Sequence, residues 1–375
     1  MNELFAPNAL LPTGWARNVL LQWDEAGRLC TVAPDAVVPQ GTPVAPGPVL
    51  PGMPNLHSHA FQRAFAGLTE YRGESQDSFW SWRNLMYRFA ARITPESLEA
   101  IATWLYVEML EAGYTSVCEF HYVHHDQDGT PYADDATLSQ ALLRAARNAG
   151  MGITLLPVLY QTSGFGAKPP RADQARFIRN TDNMLSLLER LTPAAQAQGA
   201  VLGLAPHSLR AVPPDSLAAA VQGLTALNPE APIHIHIAEQ TQEVDDCIAW
   251  SGQRPVQWLL NHAPVDERWC LVHATHMTPD EYAGAARTAA TPTTWPASAG
   301  LQTAHRVGTP ASASTTPRSD RSSRRSWWPT NRSRVPKTAS RRTAAHAWPP
   351  TRFPGTSPSS TPCRAPRRAR SGASN

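Results

Sequence analysis

Residues 49–59 read Val49-Leu-Pro-Gly-Met-Pro-Asn-Leu-His57-Ser-His59, an apolar run that Pro and Gly interrupt and that ends in a His-x-His pair. On an extended strand, residues i and i+2 project from the same side, so the imidazoles of His57 and His59 can reach one point. Such a strand end can offer two nitrogen ligands to one metal ion. Because most short His pairs are ordinary surface or core histidines, the pair predicts a metal site only if other segments supply further ligands.

Strand-like and helix-like segments alternate from this stretch onward. After the strand that ends at His59, the predicted strands cover 115–121, 152–160, 200–207, 232–239 and 269–276. The predicted helices cover about 78–91, 95–112, 135–149, 173–192, a segment from Pro214 onward, 254–262 and 279–287. These six β/α units have short connections and no Gly-x-Gly-x-x-Gly or Gly-Lys-Ser/Thr loop. They favour a (β/α)8 barrel, incomplete in this sequence, over a doubly wound sheet.

The N-terminal residues predict a separate, smaller unit. Two apolar runs at 18–23 and 28–32 flank the turn-forming residues 24–27, a spacing typical of a β-hairpin. We therefore divide the chain into three parts. They are a small N-terminal β unit over 1–50, a truncated barrel over 51–287, and a low-complexity tail over 288–375.

Side chains that can bind metal recur where the predicted strands end. They are His57 and His59, Glu119 and His121, His207, His236 and Glu239, and His273 and His276. Barrel active sites lie at the carboxyl ends of the strands. An isolated core histidine could explain one of these positions but not five, so the pattern predicts a metal centre.

Imidazoles with a nearby carboxylate and no cysteine suit Zn²⁺ or a similar first-row divalent ion. We expect His57, His59 and His236 to be the three ligands of one ion, with His234 either deeper in the barrel or in contact with a ligand. Such an ion lowers the pKa of water to near neutrality and so supplies a nucleophile. Glu239, three residues past His236, is placed to carry protons to a departing nitrogen. The alternative is that its charge only stabilises a helix N-terminus.

Composition excludes several other classes of protein. The five cysteines are scattered and never in Cys-x-x-Cys spacing, which argues against a disulfide framework or a zinc ribbon and favours a reducing compartment. The N-terminus has no secretory pattern of basic and then apolar residues. No apolar run approaches the roughly 20 residues of a membrane span. We therefore expect a cytoplasmic protein with no membrane partner.

Three motifs in this order are similar to those of the mononuclear-metal deaminases in the amidohydrolase superfamily: His57-Ser-His59, His236-Ile-Ala-Glu239 and Val272-His273. Within that group, the chain resembles the formimidoylglutamate deiminases of histidine breakdown over about residues 1–286. The motifs that carry this closer resemblance are His57-Ser-His-Ala-Phe-Gln62-Arg-Ala-Phe, Trp80-Ser-Trp-Arg83-Asn-Leu-Met-Tyr87, Glu119-Phe-His121-Tyr122 and Pro206-His207-Ser-Leu-Arg210.

The resemblance implies a hydrolase of linear amidines that converts N-formimidoyl-L-glutamate and water to N-formyl-L-glutamate and ammonia. It implies that His57, His59 and His236 are the metal ligands and that Glu239 and His273 are the catalytic, proton-handling groups. The substrate-binding residues would be Gln62, Arg83, Tyr122, His207 and Arg210. A small substrate with two carboxylates suits planar, bidentate cations, which Arg83 and Arg210 can supply unless they are solvated surface arginines. Assembly of the protein into a homodimer is a further possibility.

Two other metal chemistries fit the sequence poorly. Binuclear relatives bridge two ions with a carboxylated lysine after the fourth strand, but the chain has only Lys168 and Lys337, and Lys168 follows the third. The Pro-Cys-x-x-Cys signature of cytidine-type zinc deaminases is also missing from the sequence. One Zn²⁺ ion is therefore expected, and a deaminase of another ring or amidine substrate stays open as an alternative.

The C-terminal quarter of the sequence differs in character from the rest. Residues 287–375 hold 16 Lys+Arg and one acidic residue, Asp320, whereas the first 286 residues hold 17 basic and 29 acidic residues. The tail has 12 of the 35 prolines and no Ile, Met or Tyr. A segment so poor in core-forming residues cannot offset its ordering entropy, so we expect a disordered basic tail.

The resemblance implies that strands 7 and 8 should follow Arg287, and that strand 8 should end in an Asp that touches the metal and acts as a base. We expect neither strand in this chain. Since Arg outnumbers Lys by 31 to 2, as in a GC-rich gene, a reading-frame shift near 287–291 explains a tail of Arg, Pro, Ser and Thr. The alternative is a basic arm that binds nucleic acid non-specifically in a product without enzymatic function. The frameshift hypothesis predicts that the deiminase activity of this exact chain is impaired.

Overall fold

The computed structural model describes residues 2–25, 27–66 and 79–293, with side chains from residue 85 onward in the last range. An N-terminal antiparallel sheet comes first. Its strands are β1 (Asn2–Leu11), β2 (Gly14–Trp23) and β3 (Leu29–Ala33), in the order β1-β2-β3. The predicted hairpin is confirmed as β2 and β3. The first strand was not predicted, because its alternation of apolar and polar residues is weak and Pro7 interrupts it.

A parallel sheet carries the rest of the described chain. Its strands are β4 (Met53–Ser58), β5 (Tyr114–His121), β6 (Gly152–Leu159), β7 (Val201–Leu202), β8 (Ala205–Pro206), β9 (Ile233–Ile237), β10 (Trp269–His273) and β11 (Thr291–Thr293). Pairing follows chain order from β4 to β6, then to the short β7 and β8, and from β9 to β11. A parallel bridge between Leu204 and Ile233 joins the two groups. Parallel strands in sequence order are the arrangement of a (β/α) barrel.

Helices follow the strands of this sheet. They are α1 (Phe79–Ala90), α2 (Pro95–Glu111), α3 (Thr137–Ala149), α4 (Thr181–Ala197), α5 (Pro214–Leu227), α6 (Thr241–Ser251), α7 (Pro255–His262) and α8 (Pro279–Thr288). Thr94 and Thr278 cap α2 and α8 with their side chains, and a proline follows each, which is a common helix start in sequence. Gly150 follows the last residue of the helix predicted over 135–149 and ends α3 in the left-handed conformation. None of the described helices is long and apolar enough to cross a membrane.

Two predicted elements are broken in the structure. The helix predicted over 173–192 is a 3-10 helix, Ala172–Phe177, followed by α4, because the Asn180 side chain caps the second segment by accepting from Asn183 N–H. The strand predicted over 200–207 splits into β7 and β8 around Gly203. A Cβ at Gly203 would lie 2.4 Å from the Pro232 carbonyl oxygen, so only glycine allows this approach of β9.

The prediction near 254–262 found α7 but missed α6, which ends at Gly252 in the left-handed conformation. The six predicted β/α units are present, but the expectation that no barrel strand follows Arg287 was wrong. Residues Thr291–Thr293 form β11, which pairs in parallel with β10, so barrel structure continues at least to Thr293. This strand was not predicted because it is only three residues long and its two threonines are polar, although it pairs with the buried strand β10. The predicted disordered tail beyond Thr293 lies outside the described residues.

The barrel strands are buried as their sequence predicts. All five residues of β9 and all but the first of β6 are buried, which matches apolar runs covered on both faces. Helices α2 and α3 contribute Leu98, Tyr106 and Leu142 to the same core. The strand ends are thereby held in fixed positions.

Candidate metal centre and active-site cavity

Three imidazoles from two distant strands meet at the carboxyl ends of the barrel strands. His57 Nε2 lies 3.0 Å from His59 Nε2 and 3.1 Å from His236 Nε2. The three candidate ligand atoms all lie within 4.8 Å of one another, which is close enough to hold one metal ion. His57 and His59 come from the end of β4, and His236 from the end of β9.

Backbone carbonyls orient two of the three rings. His59 Nδ1 lies 2.8 Å from the Phe120 oxygen and His236 Nδ1 lies 3.2 Å from the His207 oxygen. A carbonyl only accepts hydrogen bonds, so each Nδ1 carries the proton and each Nε2 presents a lone pair to the cluster. His57 Nδ1 is buried without a partner among the described residues.

The electrostatic environment keeps these rings neutral. Burial lowers the pKa of His59 to about 4. Burial, and after it the neighbouring His59, holds the pKa of His57 well below its usual range. Burial, followed by His57 and His207, does the same for the pKa of His236. Neutral imidazole is the form that binds metal, so the donor set fits a divalent first-row ion.

A cavity of about 400 Å³ opens above the three rings. It is lined by His57, His59, Gln62, Met86, Tyr87, Tyr122, Tyr160, Phe177, His207, Arg210, His236, Glu239 and His273. Apolar and aromatic walls with few polar groups are typical of small-molecule sites. Within the cavity, Gln62 Nε2 donates to the Tyr122 hydroxyl over 3.1 Å.

Glu239 and His273 lie side by side at the ends of β9 and β10. Glu239 Oε1 is 3.7 Å from His273 Nε2. The backbone turns sharply beside both residues, since Ala238 has φ 51° and His273 has φ 67°. Residues other than glycine adopt such positive φ values only when the surrounding structure imposes them. Thr293 on β11 contributes to this, because its hydroxyl accepts the His273 N–H over 3.1 Å.

Glu243, on the first turn of α6, fixes the other side of this turn. Its two carboxylate oxygens accept from Ala238 N–H over 3.2 Å and from Glu239 N–H over 3.0 Å. Burial raises the pKa of this carboxyl group, and Arg210 and the two N–H donors oppose that rise. Glu243 therefore holds the backbone of Glu239 in place.

Arg210 brings a partly buried cation to the cavity. Among residues 79–293, no carboxylate lies within 4 Å of its guanidinium, although Glu243 and Glu239 are near enough to affect it. Burial lowers the pKa of Arg210, and Tyr160 and Glu243 more than offset this, so its pKa lies above the ordinary value. A charged guanidinium that faces a cavity without a paired carboxylate can bind an anionic group of a ligand.

The sequence model described as "Amidohydrolase family" matches residues 49–309, which is more than half of the chain. This chain belongs to the amidohydrolase family. A second model, described as the N-terminal domain of formimidoylglutamate deiminase HutF, matches residues 1–42 of the amidohydrolase.

Relatives of this amidohydrolase include deaminases and a deiminase. The formimidoylglutamate deiminase of Pseudomonas aeruginosa is 57% identical over 290 residues, which are 77% of this chain and 63% of the relative. The 8-oxoguanine deaminase of the same species is 26% identical over 243 residues, covering 62% of this chain and 49% of the relative. The chain thus spans less than two thirds of the length of either relative.

Solved structures share the fold. The crystal structure of an amidohydrolase from Brucella melitensis matches with a TM-score of 0.73 and 50% identity, covering 77% of this chain and 64% of that one. The atrazine chlorohydrolase TrzN from Arthrobacter aurescens, complexed with zinc, matches with a TM-score of 0.62 and 16% identity, covering 78% and 65%. The second likeness supports the barrel fold alone.

The structure brings most of the predicted site residues of this amidohydrolase into one cavity, but not all the polar strand ends. Glu119 and His121 face the helix layer, because Phe120 and Tyr122 take the inward positions of β5. His276 lies beyond the end of β10 and does not line the cavity. His234 is buried and does not line the cavity. The side chain of Arg83 lies outside the described residues.

Sequence reasoning gave no site role to four cavity residues, Met86, Tyr87, Tyr160 and Phe177. Tyr160 follows the last residue of β6, so its place at a strand end was a usable signal. Phe177 ends a 3-10 helix inside a long connection, and nothing in its local sequence indicates that it folds back over the barrel. Met86 lies on α1, where the spacing of apolar residues indicates a core position equally well.

Proposed function

We propose that this site serves the hydrolysis of N-formimidoyl-L-glutamate to N-formyl-L-glutamate and ammonia, and that this exact chain performs it poorly. The observation that carries the proposal is the combination in one cavity of three converging neutral imidazoles with the partly buried cation Arg210. The 57% identity to a formimidoylglutamate deiminase supports it.

His57, His59 and His236 would hold one divalent ion, for which we propose Zn²⁺. Such an ion would supply Lewis acidity and a water of lowered pKa next to the substrate. Backbone carbonyls hold the rings of His59 and His236, and the His57 ring packs against both, so the three are positioned before any ligand arrives.

The substrate's carboxylates would be bound by the polar side of the cavity. Arg210 can form two parallel hydrogen bonds to a carboxylate, and burial strengthens them by excluding water. His207 and the hydrogen-bonded pair of Gln62 and Tyr122 line the same cavity and would complete the contacts. Arg83 is proposed to contact the second carboxylate on the basis of the motif in which it stands.

Glu239 and His273 would handle the protons. Water adds to the formimidoyl carbon, the bond from that carbon to the terminal nitrogen breaks, and ammonia leaves while the formyl group remains on glutamate. The terminal nitrogen must gain protons in these steps. Glu239 lies beside the metal ligands and 3.7 Å from His273, so the pair can take a proton from water and deliver it to that nitrogen.

We expect low activity because we infer that the chain lacks a catalytic carboxylate, the Asp that the family resemblance places at the end of strand 8. Asp320 is the only acidic residue after Arg287 and lies outside the described residues. Since β11 is already barrel structure, we propose that the change of reading frame falls after codon 293 rather than at 287–291. Loss of a general base costs roughly 100-fold to 10,000-fold in rate.

The test compares ammonia release by two zinc-loaded proteins, this chain and the chain encoded when the alternative frame is restored after codon 293. The restored protein should release ammonia from N-formimidoyl-L-glutamate, and the present chain should be at least about 100-fold slower. Equal rates would contradict the impairment. Absence of release from N-formimidoyl-L-glutamate by both proteins, with release from 8-oxoguanine or 5′-methylthioadenosine, would favour the other deaminases among the relatives.

A ring deaminase is the second candidate, and the relatives at 24–29% identity are the observation in its favour. A purine carries no carboxylate, so it gives Arg210 no partner. The nucleic-acid-binding arm, the homodimer and the cytoplasmic location stay predictions.

A further inference from the structure

Glu119 is a carboxylate that the proposed chemistry does not use, yet it is almost fully buried, with 1% of its surface exposed. It lies on β5 beside the strand that carries His57 and His59, on the face turned away from the cavity. Burying a carboxylate is costly unless hydrogen bonds compensate. The hydrogen-bond partners of Glu119 therefore indicate its structural role.

The pairing of β4 with β5 is irregular where the two histidines lie. Asn55 pairs with Val117 and Ser58 with Glu119, so three residue steps on β4 oppose two on β5. Such a bulge redirects side chains and removes backbone hydrogen-bond partners. The Asn55 side chain meets one of these needs, since its oxygen accepts the His57 N–H over 3.2 Å.

Glu119 supplies the hydrogen-bond acceptor for the next backbone N–H along this segment. Its Oε1 accepts the backbone N–H of Ala60, the residue after His59, over 2.6 Å. Its Oε2 accepts the hydroxyl of Tyr106 over 3.2 Å, and Tyr106 is fully buried on α2. The Ser58 hydroxyl also bonds to this carboxylate. The segment 58–60 is thus tied to α2 through one side chain.

We propose that Glu119 is a positioning residue for the metal centre, holding the end of β4 so that His59 presents Nε2 to the cluster. His59 is then fixed from both sides: its Nδ1 bonds to the oxygen of Phe120, the neighbour of Glu119 on the same strand, and the peptide that follows it bonds to Glu119 itself. The inference rests on the metal site of the proposed function but not on the identity of the substrate.

The reach of the side chain matters here more than its charge. Glutamine has the same length and keeps an oxygen for Ala60 N–H, and its amide can donate to the Tyr106 oxygen. Aspartate keeps the charge but is one methylene shorter, so its oxygen cannot reach Ala60. Comparing Glu119→Gln with Glu119→Asp therefore separates hydrogen bonding from charge.

The experiment measures the Zn²⁺ dissociation constant of the full metal-free chain by competition with a chelator, and the visible spectrum of the Co²⁺-loaded chain. Glu119→Asp should weaken Zn²⁺ binding about 10-fold to 100-fold and change the Co²⁺ spectrum, as losses of groups that orient ligands do. Glu119→Gln should stay within about threefold of the unaltered chain, because it keeps the hydrogen bond.

Glu281 offers a matched control. It is also buried, at 4% exposure, and its oxygens accept from Gln257 N–H in the first turn of α7 and from Thr278 N–H at the start of α8. Glu281→Asp and Glu281→Gln should change the free energy of unfolding without changing Zn²⁺ affinity. His57→Ala tests the metal site itself and should abolish tight binding.

Loss of affinity in His57→Ala with full affinity in Glu119→Asp would overturn the positioning role and leave the proposed function standing. Unchanged affinity in His57→Ala would instead contradict the metal site. Loss of affinity in Glu119→Gln with full affinity in Glu119→Asp would show that the centre requires charge and not reach. A loss in Glu119→Gln as large as that in Glu119→Asp would show that the hydrogen bond kept by glutamine is not sufficient, and would also overturn the proposal.

Discussion

His236 Nε2 lies 3.1 Å from His57 Nε2, although 179 residues separate the two histidines along the chain. Their strands β4 and β9 are not neighbours in the sheet; β5, β6, β7 and β8 lie between them in its order. Only the curvature of a barrel brings such strand ends to one point. The contact therefore depends on the fold as a whole, and the metal centre with it.

We expect His57→Ala and His236→Ala each to weaken Zn²⁺ binding by at least about 100-fold, since each removes one of three ligands. Zinc content after dialysis measures this. His276→Ala is the control, because His276 stands at the end of the same predicted pattern but does not line the cavity. A comparable loss of zinc in His276→Ala would contradict the assignment of ligands.

Replacing Arg210 with Lys should weaken binding of N-formyl-L-glutamate about 10-fold to 100-fold, because an ammonium cannot form two parallel bonds to a carboxylate. Titration calorimetry of the zinc-loaded chain measures this. N-formyl-L-glutamine, with one carboxylate neutralised, reports which carboxylate Arg210 binds. Arg190→Lys, at an exposed ion pair on α4, is the control and should bind as the unaltered chain does. Equal affinity in the Arg210 variant would remove Arg210 from the substrate site.

Glu243→Gln should lower the free energy of unfolding by about 1–3 kcal/mol, because both carboxylate oxygens accept backbone N–H groups and an amide nitrogen cannot accept. Urea denaturation of the metal-free chain measures the change. Glu230→Gln, on the exposed surface, should stay within about 0.5 kcal/mol. A Glu243 variant as stable as this control would show that the turn at Ala238 does not need both hydrogen bonds.

Thr293→Val should destabilise the chain by about 1 kcal/mol, because it leaves the His273 N–H without its acceptor. Thr291→Val lies on the same strand, and within residues 79–293 the Thr291 hydroxyl makes no hydrogen bond, so it is the matched control. If both variants were equally stable under urea denaturation, β11 would not support the end of β10 as the structure indicates.

One of the two alternative reading frames after codon 293 should encode an apolar strand that ends in an aspartate. Sequencing across codons 280–300 and translating the three frames checks this directly. Without such a segment in either frame, the frameshift hypothesis is wrong, and the basic tail must be explained as part of the encoded protein.

Part of the site could be predicted because it depends on local patterns. The spacing of His57 and His59, the position of Glu239 after His236, and the Pro-His-Ser-Leu-Arg run through Arg210 name residues that the cavity does contain. The same reasoning placed Glu119 and His121 with the strand-end groups, but neither of them lines the cavity. The sequence shows which residues end a strand but not which of their side chains point into the cavity. The bulge in β4 and the hydrogen bond from Tyr106 fix that for Glu119.

The sequence by itself determined the alternation of strands and helices, the capped starts of α2 and α8, and the identities of the groups that can bind metal, since these follow from periodicity and side-chain chemistry within a few residues. The tertiary structure alone decided that His57, His59 and His236 share one point, that Glu243 and Thr293 hold the turns beside Glu239 and His273, and that Glu119 supports β4 from outside the cavity. The physical reason is distance along the chain. Contacts across 59, 61 or 179 residues are fixed only when the packed barrel leaves each strand end a single place to lie.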